Sequence, residues 1–172
     1  ARAIAAAVDA HGGTLDAEDL AAHATDFTRP VSTAFRGYRV WEHAPNGAGV
    51  VALLALNIIT SLGHVVDDWT PGEPEARSLH VMVEALRWAF YACRRTVGGD
   101  TSAQTVAELL SADTASAIAA RIDLRRATAR DKILQLEEQD STASSTGLPL
   151  GPCDTVSFQV VDAAGRAPGG GD

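Results

Sequence analysis

One threonine near the end of the chain stands where a self-activating nucleophile would be found. Thr155 opens the strand-like segment 155–162, shortly after a tract at 137–152 that is rich in small and polar residues. A threonine hydroxyl is a poor nucleophile unless a base lies beside it, and the residue's own α-amino group is such a base once the preceding peptide bond is cut. The competing interpretation is an ordinary strand threonine, because β-branched residues suit a pleated surface. Cleavage before Thr155 would decide between the two.

The chain in front of Thr155 has the composition of a flexible tract. Residues 137–152 include a run of Ser, Thr, Ala and Gly at 140–147, which offers almost no side chain that could anchor it. A bond that is to be cut must be exposed and bendable, and this tract would supply the slack. Beyond it, Val156, Phe158 and Val160 alternate with other residues, which predicts one strand without a visible partner.

Composition excludes several classes of function. The chain has 172 residues, 46% of them hydrophobic, and a formal net charge of −8. A nucleic-acid or anionic-membrane binder would show a basic footprint, so neither partner is expected. The most basic stretch, residues 121–132, is interrupted by Asp123 and Asp131 and is predicted to be a solvated helix face.

Other reactive residue types lack the spacing that chemistry requires. Cys93 and Cys153 are too few and too far apart for a disulfide scaffold or a zinc site. The histidines have no serine, cysteine or carboxylate partner at a telling distance along the chain. Adjacent acids such as Glu137 and Glu138 do not face each other on a helix. The sequence therefore predicts no metal site and no cofactor site.

The first sixty residues predict two helices, a hairpin and a buried helix. The opening alanine-rich helix should end at Gly12 and Gly13, and Asp16 should cap a short second helix. Residues 31–35 and 38–42 predict a β-hairpin around Arg36 and Gly37. Residues 50–59 are apolar nearly all round, the pattern of a helix within a larger body, which Gly63 should end. The chain begins in mid-helix without a Met, as a piece of a longer protein would.

The following part predicts a long helix and further helical segments. Ser78 is placed to cap the long helix, which has apolar residues at helical spacing. These residues are Leu79, Met82, Val83, Leu86, Ala89, Phe90, Cys93 and Val97. Residues 105–110 and 114–133 continue in a helical pattern, with breaks near Asp113 and Asp123.

Blocks of sequence in this order resemble the γ-glutamyltranspeptidase family. The first blocks are the Gly-Gly, Leu and Glu-Asp-Leu segment at 12–20, the hairpin from Pro30 to Val40, and the Pro-Asn-Gly turn at 45–47. The remaining blocks are Leu56-Asn57-Ile58-Ile59, His80 with Glu84-Ala85 and Ala89-Phe90, Gly99-Asp100, and Asp154-Thr155-Val156 with Val160-Val161-Asp162 and Gly165. Each block is weak alone, but together they span nearly the whole chain in the family's order.

The resemblance implies a fold and a processing site. Members are N-terminal nucleophile hydrolases of α+β class, with two helical layers enclosing two sheets in an αββα sandwich, made as a precursor that cuts itself. By resemblance the cut falls between Asp154 and Thr155. Residues 1–154 then correspond to the latter part of the large subunit, with 137–152 as the flexible tract, and residues 155–172 to a truncated start of the small subunit. The part present should be mostly helical, with one hairpin and a C-terminal strand.

The resemblance also implies an activity. Thr155 would be the catalytic nucleophile of a γ-glutamyltransferase or glutathione hydrolase. It would take a γ-glutamyl group from glutathione or a related donor and pass it to water or to an amino-acid or peptide acceptor. The partners implied are these small molecules and the remainder of the two subunits. Many members are periplasmic or secreted, although no signal peptide is present in this sequence.

Departures from the family pattern leave two alternatives open. Val156 and Ser157 follow the nucleophile where Thr and His are usual, and after Gly165 the chain reads Arg-Ala-Pro-Gly-Gly-Gly-Asp. The arginine that holds the substrate carboxylate and the glycines of the oxyanion site would lie outside this chain, so the chain alone is expected to be inactive. The alternatives are a non-catalytic truncated or frame-shifted remnant, serving at most as an interaction module, and a related cephalosporin-type acylase.

Overall fold

The computed structural model describes residues 1–45, 47–63, 76–98, 101–129, 132–133 and 160–162. In chain order the elements are α1 (Arg2–Ala10), α2 (Ala17–Ala22), β1 (Val31–Phe35), β2 (Tyr38–Glu42), α3 (Gly49–Ser61), α4 (Ala76–Thr96), α5 (Ala103–Leu109) and α6 (Ala112–Ala119). The described part is mostly helical with one two-stranded antiparallel sheet, in agreement with the predicted α+β class. Its helices are all too short or too polar to cross a lipid bilayer.

Local signals set the ends of the first two helices as predicted. After α1, the amide of Gly12 donates to Asp9 O and the amide of Gly13 donates to Val8 O. This bond pattern satisfies the last carbonyls of the helix, and it uses Gly12 at a φ of 76°, where a side chain would be strained. At α2 the Asp16 carboxylate accepts from the amides of Glu18 and Asp19, and the Asp16 amide donates to the Asp19 carboxylate, which completes a capping box.

The predicted hairpin forms with the predicted strands. Val31 lies opposite Glu42 and Phe35 opposite Tyr38, so the loop between the strands has two residues. Both of them, Arg36 and Gly37, have positive φ angles of 50° and 85°. Such a turn matches the right-handed twist of paired strands, which explains how an Arg-Gly pair closes this hairpin.

Helix α3 is the centre of the core, as its apolar sequence predicted. It packs against α4, against α6 and against both strands of the hairpin. Seven of its residues are buried, namely Val50, Val51, Leu53, Leu54, Ala55, Ile58 and Ile59. A helix with apolar residues on every side can be stable in water only with neighbours on every side, and the hairpin supplies one of them.

The predicted long helix forms, but it begins at a different residue from the one expected, and only part of its predicted apolar face is buried. Ser78 does not cap α4: it lies in the first turn of a helix that begins at Ala76, and it is 2% exposed. Of the apolar residues that predicted the helix, Ala89, Cys93 and Val97 are buried, whereas Leu79, Val83, Leu86 and Phe90 are exposed. The helical period was predicted correctly, but four of the eight apolar residues are exposed.

The predicted helix over residues 114–133 ends early. Helix α6 stops at Ala119, and Arg121 to Ala129 form turns and bends without regular structure. The expectation that residues 121–132 form a helix face is therefore wrong for Arg121 to Ala129. The Asp123 carboxylate accepts from the amide of Arg125, a local bond that competes with helical pairing. Of the two expected breaks in the helical pattern, the one near Asp113 corresponds to the short gap between α5 and α6, where Ser111 caps α6.

The predicted C-terminal strand lies mostly outside the described residues. Its last three residues, Val160, Val161 and Asp162, have no regular structure and are exposed. Val160 and Val161 contact no second strand within the described ranges. An isolated strand cannot satisfy its backbone groups, so it needs neighbours before it becomes regular.

Two leucines on neighbouring helices test the core. Leu54 on α3 is fully buried, whereas Leu79 on α4 is 43% exposed. We expect Leu54→Ala to lower the free energy of unfolding by about 2–5 kcal/mol, because it removes buried methyl groups and leaves a cavity. Leu79→Ala should cost less than about 1 kcal/mol. Urea denaturation followed by circular dichroism measures both, and equal losses would contradict this assignment of the core.

Candidate functional site

The predicted catalytic junction lies outside the described residues. This holds for Thr155 and Asp154, for Cys153 and for most of the tract 137–152. The nearest described residues on the C-terminal side are Val160 to Asp162, all exposed. The role of Thr155 as nucleophile therefore stays a prediction. The structure instead describes the polar side chains that hold the helices, the hairpin and the segment 121–128 together.

A buried carboxylate on α4 is the most tightly bonded of these groups. Glu84 is 1% exposed. Its Oε1 accepts from Arg87 Nη1 at 2.5 Å, and its Oε2 accepts from the Thr128 amide at 3.2 Å and from the Thr128 hydroxyl at 2.5 Å. A buried charge is tolerated when it is paired and hydrogen-bonded, and both oxygens meet that condition. Glu84 thus fixes a residue 44 positions later in sequence against α4.

Two further contacts hold the segment before Thr128 against the same helix. His80 Nε2 donates to the carbonyl oxygen of Asp123 at 2.8 Å. The Arg121 guanidinium lies 5.7 Å from the centre of the Trp88 ring, within range of a cation–π interaction. The segment 121–128 therefore runs along α4 past Trp88, His80 and Glu84. Trp88 itself is buried, and its Nε1 has no hydrogen-bond acceptor among the residues that the structure describes.

A second polar joint links the hairpin to the helices. The Asn57 side-chain oxygen on α3 accepts a short hydrogen bond from the hydroxyl of Thr33 on β1. Its amide nitrogen donates to the carbonyl of Leu110, just beyond α5, at 2.9 Å. One carboxamide thus uses both of its ends to hold three parts of the chain in register, which an apolar residue at this position could not do.

The remaining candidates offer little chemistry. Within the described ranges no three potential metal-ligating side chains come together. Burial raises the pKa of the Cys93 thiol to about 12, so it stays protonated and unreactive near neutral pH. An open groove of about 400 Å³ lies between α4, α5 and α6. Its lining includes Arg95, Glu108 and Arg121, a mixture of opposite charges.

The sequence alone assigned no role to Glu84 or Asn57, whose hydrogen bonds join distant parts of the described chain. Glu84 and Asn57 were part of the blocks that carried the family resemblance, but no function followed from them. A signal was present, because Glu84 lies on the helix beside Val81, Ala85 and Trp88, which are all buried. An acid among apolar neighbours on one helix face indicates a buried, paired charge. The partner, Thr128, had no such signal.

Comparison with known proteins identifies the family. The family model described as Gamma-glutamyltranspeptidase matches residues 1–168. The chain belongs to the gamma-glutamyltranspeptidase family. The resemblance inferred from the sequence blocks is thereby confirmed, and the match extends across the junction at Asp154 and Thr155.

Individual relatives agree with this assignment. The glutathione hydrolase proenzyme of Escherichia coli (strain K12) is 31% identical over 170 residues, which are 97% of this chain and 27% of that protein. The glutathione hydrolase-like YwrD proenzyme of Bacillus subtilis (strain 168) is 36% identical over 81 residues, 46% of this chain and 14% of that protein. The crystal structure of a cephalosporin acylase from Bacillus halodurans matches with a TM-score of 0.57 and 37% identity, over 70% of this chain and 22% of that one.

The chain thus spans about a quarter of the Escherichia coli relative that it matches along almost its whole length. Two of these relatives are proenzymes by name, and all three are named as hydrolases or acylases. The family of this chain therefore includes proteins named as glutathione hydrolases and acylases.

The buried carboxylate can be tested against an exposed one. Glu84→Ala should lower the free energy of unfolding by roughly 2–4 kcal/mol, because the Thr128 amide, the Thr128 hydroxyl and Arg87 lose their common acceptor. Glu84→Gln, which keeps one acceptor oxygen, should cost less. Glu108→Ala is the control, since Glu108 is exposed and its carboxylate accepts only from Gln104 among the bonds described. Chemical denaturation curves for the three variants would refute this role of Glu84 if they coincided.

Proposed function

We propose that the protein containing this chain is a γ-glutamyltransferase or glutathione hydrolase whose nucleophile is Thr155. The observation that carries the proposal is the family match over residues 1–168, which includes the Asp154-Thr155 junction. The names of the Escherichia coli and Bacillus subtilis relatives support both the substrate and the proenzyme state. The non-catalytic alternative is not favoured, because the family match runs almost to the end of the chain.

The proposed chemistry begins with self-cleavage before Thr155. The new α-amino group takes the proton of the Thr155 hydroxyl as the oxygen attacks the γ-glutamyl carbonyl carbon. The amine of the donor leaves with a proton, and an ester between the acyl group and the Thr155 oxygen remains. Water or an acceptor amine then attacks this ester and gives glutamate or a new γ-glutamyl amide. No cofactor takes part in any of these steps.

The proposed organisation follows the same family. Residues 1–154 form the latter part of the large subunit, and residues 155–172 begin the small subunit, in a four-layer αββα body. The hairpin is the part of a sheet that the described residues contain, and α3 to α6 lie on one side as a helical group. The joints at Glu84 and Asn57 then have a scaffolding role, because they hold the helices and the hairpin that lead toward the junction.

The nucleophile is tested by substitution in the full-length protein. Thr155→Ala should leave the protein as a single uncut chain and abolish release of p-nitroaniline from a γ-glutamyl anilide, because both the attacking oxygen and the cleavage that frees the amine depend on Thr155. Thr155→Ser keeps a hydroxyl and should retain partial cleavage and activity. Intact-mass spectrometry and N-terminal sequencing measure the cut, and the anilide assay measures turnover.

Two other outcomes would contradict the nucleophile or the substrate of this proposal. An uncut wild-type protein that turns over the anilide would remove Thr155 from the mechanism. A protein that is cut before Thr155 but prefers a cephalosporin side-chain amide to the γ-glutamyl anilide would keep the nucleophile and change the substrate, in line with the acylase relative from Bacillus halodurans.

The 172-residue chain alone should show no detectable γ-glutamyl transfer. In the family the carboxylate-holding arginine and the oxyanion glycines lie outside the region that this chain represents. Stabilisation of the oxyanion typically contributes a factor of about 100–1,000 to the rate for each donor. The purified chain is assayed with the γ-glutamyl anilide beside a blank without protein. Turnover above the blank that disappears in Thr155→Ala would show that this part of the protein suffices.

A further inference from the structure

The open groove between α4, α5 and α6 is lined by charges of both signs. Arg95 on α4, Glu108 on α5 and Arg121 just beyond α6 all contribute to its wall. Its volume of about 400 Å³ lies within the range of roughly 300–1,000 Å³ that is usual for ligand pockets. None of its described lining residues belongs to the predicted junction at Asp154 and Thr155. A ligand bound here would therefore occupy a site separate from the proposed nucleophile.

Aromatic rings hold both cations at the groove. The Arg95 guanidinium lies 5.4 Å from the centre of the Tyr91 ring, and its Nη1 donates to the Tyr91 hydroxyl at 3.2 Å. The Arg121 guanidinium lies 5.7 Å from the centre of the Trp88 ring, and the two rings meet edge to face with their centres 5.8 Å apart. A guanidinium that already lies on a ring has less side-chain freedom to lose when a ligand binds. The two cations are thus positioned in advance to receive anionic groups.

The carboxylate in the groove is not neutralised by these cations. Glu108 Oε1 accepts from Gln104 Nε2 at 2.8 Å, and an amide partner leaves the negative charge in place. Within the part of the chain that the structure describes, neither Glu108 nor Arg121 forms an ion pair. The two opposite charges therefore line one groove without binding each other. A ligand that carries both signs can bind them at the same time.

The signs of these charges indicate the class of ligand. Two guanidinium groups and one carboxylate are complementary to a molecule with two carboxylates and one ammonium. A simple anion would be repelled by Glu108, and a simple cation would be repelled by the two arginines. Ala92 and Leu109 also line the groove and offer an apolar wall to the methylene groups between the charged ends of such a molecule.

We propose that this groove binds a small amino acid with two carboxylates, which places the carboxylates on Arg95 and Arg121 and the ammonium on Glu108. Glutamate belongs to this class, and it is also the product that the proposed hydrolysis would release. The groove is then a second site for that product, apart from the junction. The proposal does not depend on Thr155, because the charges of the groove alone select the ligand.

Calorimetric titration with L-glutamate tests the groove in the full-length protein carrying Thr155→Ala, so that no turnover contributes heat. Glu108→Gln keeps the shape of the side chain and removes its charge, and it should weaken L-glutamate binding at least about five-fold, because the ammonium loses its partner. Arg121→Gln should weaken it by a similar factor. Both residues are exposed, so each unfolding midpoint should stay within about 3 °C of the parent in circular dichroism.

Glutarate, which has the two carboxylates and lacks the ammonium, separates the roles of the two charges. Arg121→Gln should weaken glutarate binding as well, whereas Glu108→Gln should leave it unchanged or strengthen it, because a repulsive charge is removed. The matched control is Glu18→Gln on α2, which replaces an exposed acid outside the groove and should leave the binding of both ligands unchanged.

Absence of L-glutamate binding, or binding that Glu108→Gln and Arg121→Gln both leave unchanged, would overturn the proposal. So would a Glu108→Gln variant that binds L-glutamate and glutarate more tightly than the parent, since the groove would then be a site for simple anions. Failure of the nucleophile assignment would show itself separately, as turnover of the γ-glutamyl anilide that survives Thr155→Ala, and it would leave these binding results as they are.

Discussion

Burial of α3 is the constraint on which the rest of the described structure depends. This helix is apolar on nearly every side, so it can exist in water only when it is enclosed. The hairpin, α4 and α6 enclose it from different directions. Each of these elements has its own apolar contact with α3, and none of them has a sufficient core without it. The hairpin in particular is only two strands wide, and such a sheet is marginal in water unless it packs on a helix.

Polar joints make this apolar packing specific. Apolar contacts alone would allow the helices to slide, whereas Asn57 and Glu84 each accept only a few geometries. Asn57 fixes the hairpin and the end of α5 relative to α3. Glu84 fixes the segment 121–128 along α4, although that segment has no regular structure of its own. Two side chains, the buried Glu84 and the half-buried Asn57, therefore define how the described helices, the hairpin and the segment 121–128 fit together.

Helix α4 connects the fold to the family. One of its faces completes the core of the described residues, and a second line of apolar residues, Leu79, Val83, Leu86 and Phe90, is exposed. Apolar residues on more than one side are typical of a helix surrounded by protein, and the Escherichia coli relative is several times longer than this chain.

The sequence by itself determined the elements whose signals are local. Gly12 ended α1, Asp16 capped α2, and alternation with a two-residue turn defined the hairpin, because each of these depends on residues a few positions apart. The order of blocks also indicated the family and the position of Thr155. Tertiary structure alone decided which apolar face of α4 is buried, since periodicity defines a stripe without saying what lies against it. It also decided that Thr128 binds Glu84, because a partner 44 residues away leaves no local pattern in the sequence.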